Sequence, residues 1–432
     1  MAFSAEWTVL PLVMVRDDLL MTGDTSFAAK HFDELVANAL GVAGTPWPID
    51  PANGLVNTSD VLIDWPSGMR DNYVLTQHNS VANAFGVYGL DTLVELAGYL
   101  GRTADVAKYK ARAATLRTSI DKLLWNATGG AGWTAGGAYT DGLACKNASA
   151  EEGKPVPAAC PSSMGAKCLP CSSHSAFHSS VYMLALGAVP EDKLAATHEF
   201  INAKILPKSM HGQEQRRQMR SGATWPPPPP PGEHDGMPCG GYVSQFTLQA
   251  LYQNSADHGQ AALELLTSTA KNSWRNMIKQ GATASMEAWT TDEKPNLTWS
   301  HVWSASPGFV IPWSLFGIQP TSPGFKTLNI KPAPGNLTHG NYTMPTVKGP
   351  VKAGFRQSLG ARAHGEFSFE LSVELPRGVT AAVSVPRRNR ESASMLTVYG
   401  EAIVGAKVEE QEHHLVVRGV GPGRHRFVLA KA

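Results

Sequence analysis

Residues 367–375 read FSFELSVEL, and apolar and polar side chains alternate through them without a break. Phe367, Phe369, Leu371, Val373 and Leu375 face one way, while Ser368, Glu370, Ser372 and Glu374 face the other. A period of two is that of a half-buried strand. Pro376-Arg377-Gly378 turns the chain, and Val379, Ala381, Val383 and Val385 resume the alternation. Outward from this pair, further strands are expected near 326–332, 395–404, 413–418 and 425–430. The C-terminal part therefore reads as a compact antiparallel β domain.

Upstream of about residue 318 the period is helical. Val106, Tyr109, Ala113, Leu116, Ile120 and Leu123 recur at spacings of three and four, an apolar stripe on one helix. Val81, Phe85, Tyr88, Leu93, Leu96 and Leu100 repeat the pattern just before it. At the join, Gly101 can stop one helix and Thr103 can cap the next, which predicts an antiparallel hairpin. Similar pairs are expected at about 5–40, 174–203 and 242–279, with a last helix near 301–317. The expected division is a helical domain over 1–320 and a β domain over 321–432.

Two stretches interrupt the helical part. Residues 141–172 are rich in Gly, Ala, Pro, Ser and Cys, and residues 207–238 contain six consecutive prolines, Pro226–Pro231. Such prolines adopt polyproline II, so a proline-recognising partner is one reading. An exposed insertion loop is the other.

Composition narrows the function. Lys and Arg number 37 against 36 Asp and Glu, a net charge of +1 that gives nothing to neutralise a nucleic-acid backbone. Charged residues are 17% and apolar ones 43%, the mix of a chain with a large core. The longest apolar runs, such as 8–15 and 309–316, fall short of the roughly 20 residues needed to cross a bilayer. The first twenty residues lack a basic n-region, contain Glu6 and end on Asp17 and Asp18, so they do not read as a secretory signal. Six glycosylation sequons begin at Asn57, Asn126, Asn147, Asn296, Asn336 and Asn341; chance supplies a few in a chain this long, so they point only weakly to the secretory pathway. The five cysteines (Cys145, Cys160, Cys168, Cys171 and Cys239) have irregular spacing, better suited to disulfides or free thiols than to a metal. These features assign no compartment. No P-loop, GxGxxG after a strand, HExxH or GxSxG occurs.

Three segments combine carboxylates and aromatics: IDWPSGMRDNYV with Asp64, Trp65, Arg70 and Asp71; GATASMEAW with Glu287 and Trp289; and TWSHVWSASPGF with Trp299, His301 and Trp303. Four of the 11 tryptophans lie between 289 and 313. Sugars offer apolar C–H faces to rings and hydroxyls to carboxylates, arginine and histidine, and glycoside hydrolysis needs two carboxyl groups. Each feature also has a plainer reading. Asp64 and Asp71 equally suit helix caps beside Arg70, and a lone tryptophan is more often core than pocket. Glu287, among small and apolar neighbours, is expected to have a raised pKa and a task.

At these segments the chain resembles the α-L-rhamnosidases of glycoside hydrolase family 78. The resemblance rests on Ala5-Glu6-Trp7 with Thr22-Gly23-Asp24, on Ile63-Asp64-Trp65-Pro66 with Arg70-Asp71-Asn72, and on His174-Ser175-Ala176-Phe177-His178. Later come Ser273-Trp274, Met286-Glu287-Ala288-Trp289, Lys294-Pro295-Asn296-Leu297-Thr298-Trp299 and Ser300-His301-Val302-Trp303, then Gly324-Phe325 and Ile330-Lys331-Pro332. It implies an (α/α)₆ barrel followed by a C-terminal β-sandwich, no cofactor, and a carbohydrate substrate. It also implies an inverting mechanism, with an acid and a base about 6.5–9.5 Å apart. Glu287 matches the general base; Asp64, Trp65, Arg70, Asp71, Trp289 and His301 match pocket positions. The family's acid-bearing RExxPYEGD segment has no counterpart, and about ten helices are expected where the barrel has twelve. The chain is therefore expected to be truncated at its N-terminus, with Asp71 as a substitute acid. Asn72 stands where the family pattern has glycine. Two rivals are a non-catalytic fragment that at most binds rhamnosides, and a lyase, which would need a Tyr/His base and cationic groups facing a uronate.

Overall fold

The computed structural model describes residues 4–39, 48–129, 136–143, 172–205, 236–254, 256–358, 367–387, 392–399 and 408–429. Four of the cysteines, the Asn147 sequon, the proline run and most of the two insertions lie outside them. Among the described residues no helix is long and apolar enough to cross a membrane.

The helical part is a succession of hairpins. α1 (Leu10–Thr22) and α2 (Ser26–Asn38) form the first, α3 (Ser80–Tyr99) and α4 (Thr103–Leu123) the second, and α5 (Phe177–Ala185) and α6 (Leu194–Ile205) the third. α4 buries Tyr109, Ala113, Leu116 and Ile120, the stripe its spacing predicts. α3 goes further and buries fourteen of its twenty residues, as a helix does when neighbours surround it. Phe85 of α3 meets Tyr182 of α5 and Phe246 of the helix Gly241–Tyr252 at ring separations of 5.6 and 5.7 Å. Between α3 and α4 Gly101 adopts the left-handed conformation that ends a helix. Thr103 does not cap: Arg102 holds the N-cap position and bonds Asp105 through Nε at 2.6 Å.

The expected pair over 242–279 is three helices, α7 (Gly241–Tyr252), α8 (Gln260–Thr267) and α9 (Trp274–Lys279). The expected helix over 301–317 is also shorter. It is a 3₁₀ turn over Val302–Ser304, then α10 (Pro307–Val310), which runs into a π turn over Ile311–Leu315. Pro312 has no N–H to donate to Gly308 O, and Phe316 N reaches back five residues to Ile311 O at 3.0 Å, which closes the π turn.

Two short strands, β1 (Trp125–Asn126) and β2 (Ala138–Tyr139), pair beside α4. The remaining strands form two five-stranded sheets. One contains β3 (Ile318–Pro320), β4 (Thr327–Ile330), β8 (Thr380–Pro386), β10 (Val408–Glu410) and β11 (His414–Val420), in the order β10-β11-β8-β4-β3. The other contains β5 (His339–Met344), β6 (Val351–Ser358), β7 (Ser368–Leu375), β9 (Leu396–Tyr399) and β12 (Gly423–Leu429), in the order β5-β6-β7-β12-β9. Phe369, Leu371, Val373 and Leu375 of β7 are buried, while Ser372 is exposed. One pairing departs from the antiparallel expectation: β4 and β8 run parallel, Thr327 opposite Thr380. They are distant in sequence, so no tight turn dictates their direction.

The helical core and the strand core form separate apolar clusters. At their junction Gly23, in the Thr22-Gly23-Asp24 turn, lies so close to Gly324 that a Cβ there would stand 3.1 Å from the Gly324 Cα. Its φ of +78° also favours glycine. Two motifs three hundred residues apart in the chain are thus one contact.

Candidate active site

Glu287 stands on a loop that doubles back on itself after α9. Its amide donates to Thr298 O at 3.0 Å and the His301 amide donates to Ser285 O at 2.7 Å, which fixes the loop as a narrow ribbon. The Glu287 side chain is 12% exposed. Oε1 accepts from Trp65 Nε1 at 3.2 Å, and Oε2 accepts from the Thr298 amide at 2.9 Å and its hydroxyl at 3.0 Å. Lys294 Nζ lies 3.3 Å from Oε2. The expected rise in pKa is not found. Burial pushes the carboxyl up, but the two Thr298 donors and the Lys294 ammonium outweigh it and hold it below the usual range. The sequence shows the small and apolar neighbours of Glu287; the donors come from the returning strand of the ribbon.

The loop over 60–73 presents the other carboxylates. Asp64 is fully buried. Its Oδ1 accepts from the Trp65 amide at 2.7 Å, and its Oδ2 accepts from the Gly240 amide at 2.7 Å and pairs with His178 Nε2 at 2.8 Å. Asp64 therefore holds Trp65 in place and has no face left for a ligand. Gly240 permits this approach, since a Cβ there would stand 2.1 Å from Trp65 O. Arg70 Nε donates to Asp64 O at 2.9 Å, and among the described residues its terminal amino groups have no partner. Asp71 accepts from the Phe177 amide at 2.7 Å and pairs with Lys204 at 3.1 Å. It anchors the N-terminus of α5, the plainer of its two readings. Asp71 and Asn72 have φ of 48° and 53°. Asparagine tolerates the left-handed region better than most residues, which explains how Asn72 occupies a glycine position.

α5 is the clamp behind this loop. Asp141, at the edge of the first expected insertion, is fully buried and is the residue that sequence reasoning missed. Its carboxylate accepts from the Val74 and Ala176 amides at 2.8 and 2.7 Å and from the Ser179 hydroxyl at 2.7 Å. It also pairs with His174 at 2.6 Å, and this bond is the main cause of the raised His174 pKa. The available signal was the histidine motif 174–178, both of whose imidazoles meet buried carboxylates.

The aromatic residues divide. Trp289, expected in the pocket, is wholly buried, donates Nε1 to Cys239 O at 2.6 Å and packs edge-on against Trp274 at 5.1 Å. It is core, and its contacts anchor the chain two residues after Glu287. Trp299, by contrast, is 46% exposed and follows the threonine that binds Glu287. Trp303 is half-buried between Trp7, Tyr242 and His301, at ring separations of 6.4, 5.3 and 4.4 Å. His301 Nδ1 accepts from the Trp303 amide at 3.3 Å. Its Nε2 has no partner among the described residues.

Glu6 supports the loop over 60–65 from below. It is fully buried; Oε1 accepts from the Leu62 amide at 2.6 Å and the other oxygen bonds the Ser4 hydroxyl. Burial dominates and pushes its pKa up to about 7 from 4.5. A carboxyl raised on folding contributes stability in full below the unfolded pKa and loses it as pH rises through the folded one. The wild-type chain should therefore lose about 3 kcal/mol between pH 4.5 and 8 that Glu6→Gln keeps. Urea denaturation of both proteins at pH 5 and pH 8 measures this, and parallel pH dependences would refute it.

The sequence profile of the bacterial alpha-L-rhamnosidase 6 hairpin glycosidase domain matches residues 1–211 and 233–313. The chain belongs to this family. The bacterial alpha-L-rhamnosidase C-terminal domain profile matches residues 317–398. Three α-L-rhamnosidase structures are similar in fold. The Streptomyces avermitilis enzyme, complexed with L-rhamnose, has a TM-score of 0.61 at 18% identity, covering 95% of this chain and 32% of that one. The Dictyoglomus thermophilum enzyme gives 0.64 at 17%, covering 99% and 40%. The family 78 rhamnosidase of Bacillus sp. GL1 gives 0.54 at 21%, covering 88% and 34%. The chain thus spans 32% to 40% of their length. The family assigns a six-hairpin glycosidase domain followed by a strand-rich domain, in accord with the period switch near residue 318. No curated protein matches the chain by sequence.

Proposed function

We propose that this rhamnosidase-family chain hydrolyses terminal non-reducing α-L-rhamnose from rhamnosides by inversion, with Glu287 as general base. The observation that carries the reading is the Glu287 carboxylate, kept ionised by Thr298 and Lys294 and braced by Trp65. A base must be unprotonated to take a proton from water, and these donors favour that state. In this reading the water attacks the anomeric carbon from the Glu287 side while an acid protonates the departing oxygen. Asp71 was the candidate acid. Its engagement by Lys204 and the Phe177 amide supports a positioning role instead, and the acid is assigned to no residue of this chain. The sugar would meet Arg70, Trp65, Trp299, Trp303 and His301, which keep open donors or ring surface. Of the two expected divisions, 1–320 would carry this chemistry and 321–432 would form the second domain, except that β3 (Ile318–Pro320) already belongs to the second domain's sheet.

Proton NMR during cleavage of an aryl α-L-rhamnoside tests the stereochemistry. The first free sugar should be the β anomer; the α anomer would rule out inversion. Lys294→Met should move the acidic limb of kcat/KM to higher pH, because the base loses a cation that favours its charged form. An unmoved limb would remove Lys294 from this role.

A further inference from the structure

The outer face of the sheet β5-β6-β7-β12-β9 carries groups that the reaction does not use. Register aligns Asn341, Gly354, Ser372, Arg426 and Tyr399 in one row across all five strands. The two central members are small, so the row sinks in its middle into a trough of about 460 Å³. A Cβ on Gly354 would stand 2.2 Å from Asn341 Oδ1 and would fill that floor. Tyr399 closes one end, 52% exposed, with the Arg426 guanidinium 5.7 Å from its ring centre.

The charges around the trough are organised and unequal. Lys352, Arg424 and Arg426 line it with one carboxylate, Glu374, and Glu370 stands just beyond it. Glu370 takes Arg426 in a two-pronged pair, both bonds 2.8 Å, and Glu374 takes Lys352 at 3.3 Å and Arg424 at 3.2 Å. Both carboxylates are thereby satisfied, while Arg424 stays 84% exposed. Fixed guanidiniums beside an exposed ring and a polar floor suit a ligand with flat C–H faces, many hydroxyls and negative charge. Three cations in the lining against the single carboxylate of Glu374 select carboxylates over a neutral surface.

We propose that this trough is a second saccharide site, distinct from the Glu287 loop, that binds an oligosaccharide bearing carboxylate groups. That the occupant is a sugar rests on the glycosidase reading; that it is anionic rests on the face alone. Tyr399 stacks on a ring and the exposed Arg424 pairs with its carboxylates, while Arg426, held by Glu370, keeps the face positive.

The test is calorimetric titration of the whole chain with an oligogalacturonate of about six sugars, which has no rhamnose, beside its fully methyl-esterified form. Binding of the acid form should exceed that of the ester by about tenfold or more and weaken with salt. Tyr399→Ala and Arg424→Ala, both exposed positions, should each lower affinity severalfold with the melting temperature unchanged. Glu287→Gln should bind as the wild type does, which separates this site from the proposed reaction. Equal binding of acid and ester, no binding, or binding unaffected by both trough variants would overturn the proposal.

Discussion

Glu287→Gln is expected to lower kcat on an aryl α-L-rhamnoside by about 10²- to 10⁴-fold, with far less effect on KM. The change keeps the side-chain shape but abolishes the negative charge that receives the proton of the attacking water, and with its one acceptor it gives up either the Thr298 bonds or the bond from Trp65 Nε1. Ground-state contacts to the sugar lie on other residues in this reading, so binding should persist. Thr298 donates twice to Oε2, and an amide nitrogen turned there would meet a donor with a donor. The amide oxygen should therefore face Thr298, at a small cost in stability. Turnover of the variant within threefold of wild type would remove Glu287 from the role of base.

The second large effect is expected from Asp64→Ala. The carboxylate is buried, and three donors converge on it: the Trp65 amide, the Gly240 amide and His178 Nε2. Removing it leaves these groups dry and unpaired, which should cost about 3–5 kcal/mol. Activity should fall further than stability predicts, because Trp65 is the group that braces Glu287. Chemical denaturation gives the first number, and the kinetics of the folded fraction give the second. A loss below about 1 kcal/mol would show that water replaces the carboxylate, and the clamp would not be energetic. Asp64→Asn, which keeps one acceptor, should fall between.

These two residues differ in how far sequence carried them. Glu287 was legible as a candidate because the MEAW segment joins a carboxylate to small and apolar neighbours, and the family pattern names it. The direction of its pKa was not legible: the deciding donors, Thr298 and Lys294, belong to a returning strand whose ribbon forms only on folding. Asp64 looked like a pocket residue or a cap, and is a buried tether. Asp71 likewise anchors α5 through a contact 106 positions away. Trp289 and Trp299, ten residues apart, looked alike as ligand-facing rings, yet one is core and the other half-exposed.

What the sequence determined by itself is periodic and local. Alternation by two made the strands of the C-terminal domain, and spacing by three and four made the helical hairpins, because side-chain direction follows from backbone geometry alone. A local breaker also showed in Gly101, whereas the break in the expected helix over 301–317 was a matter of hydrogen-bond closure. Tertiary structure decided the parallel pairing of β4 with β8, the meeting of Gly23 with Gly324, and the assignment of each carboxylate to tether, anchor or base. Those choices depend on which donor a folded neighbour brings within about 3 Å. Trp65 and Glu287 are 222 positions apart, and only the closed fold makes them partners.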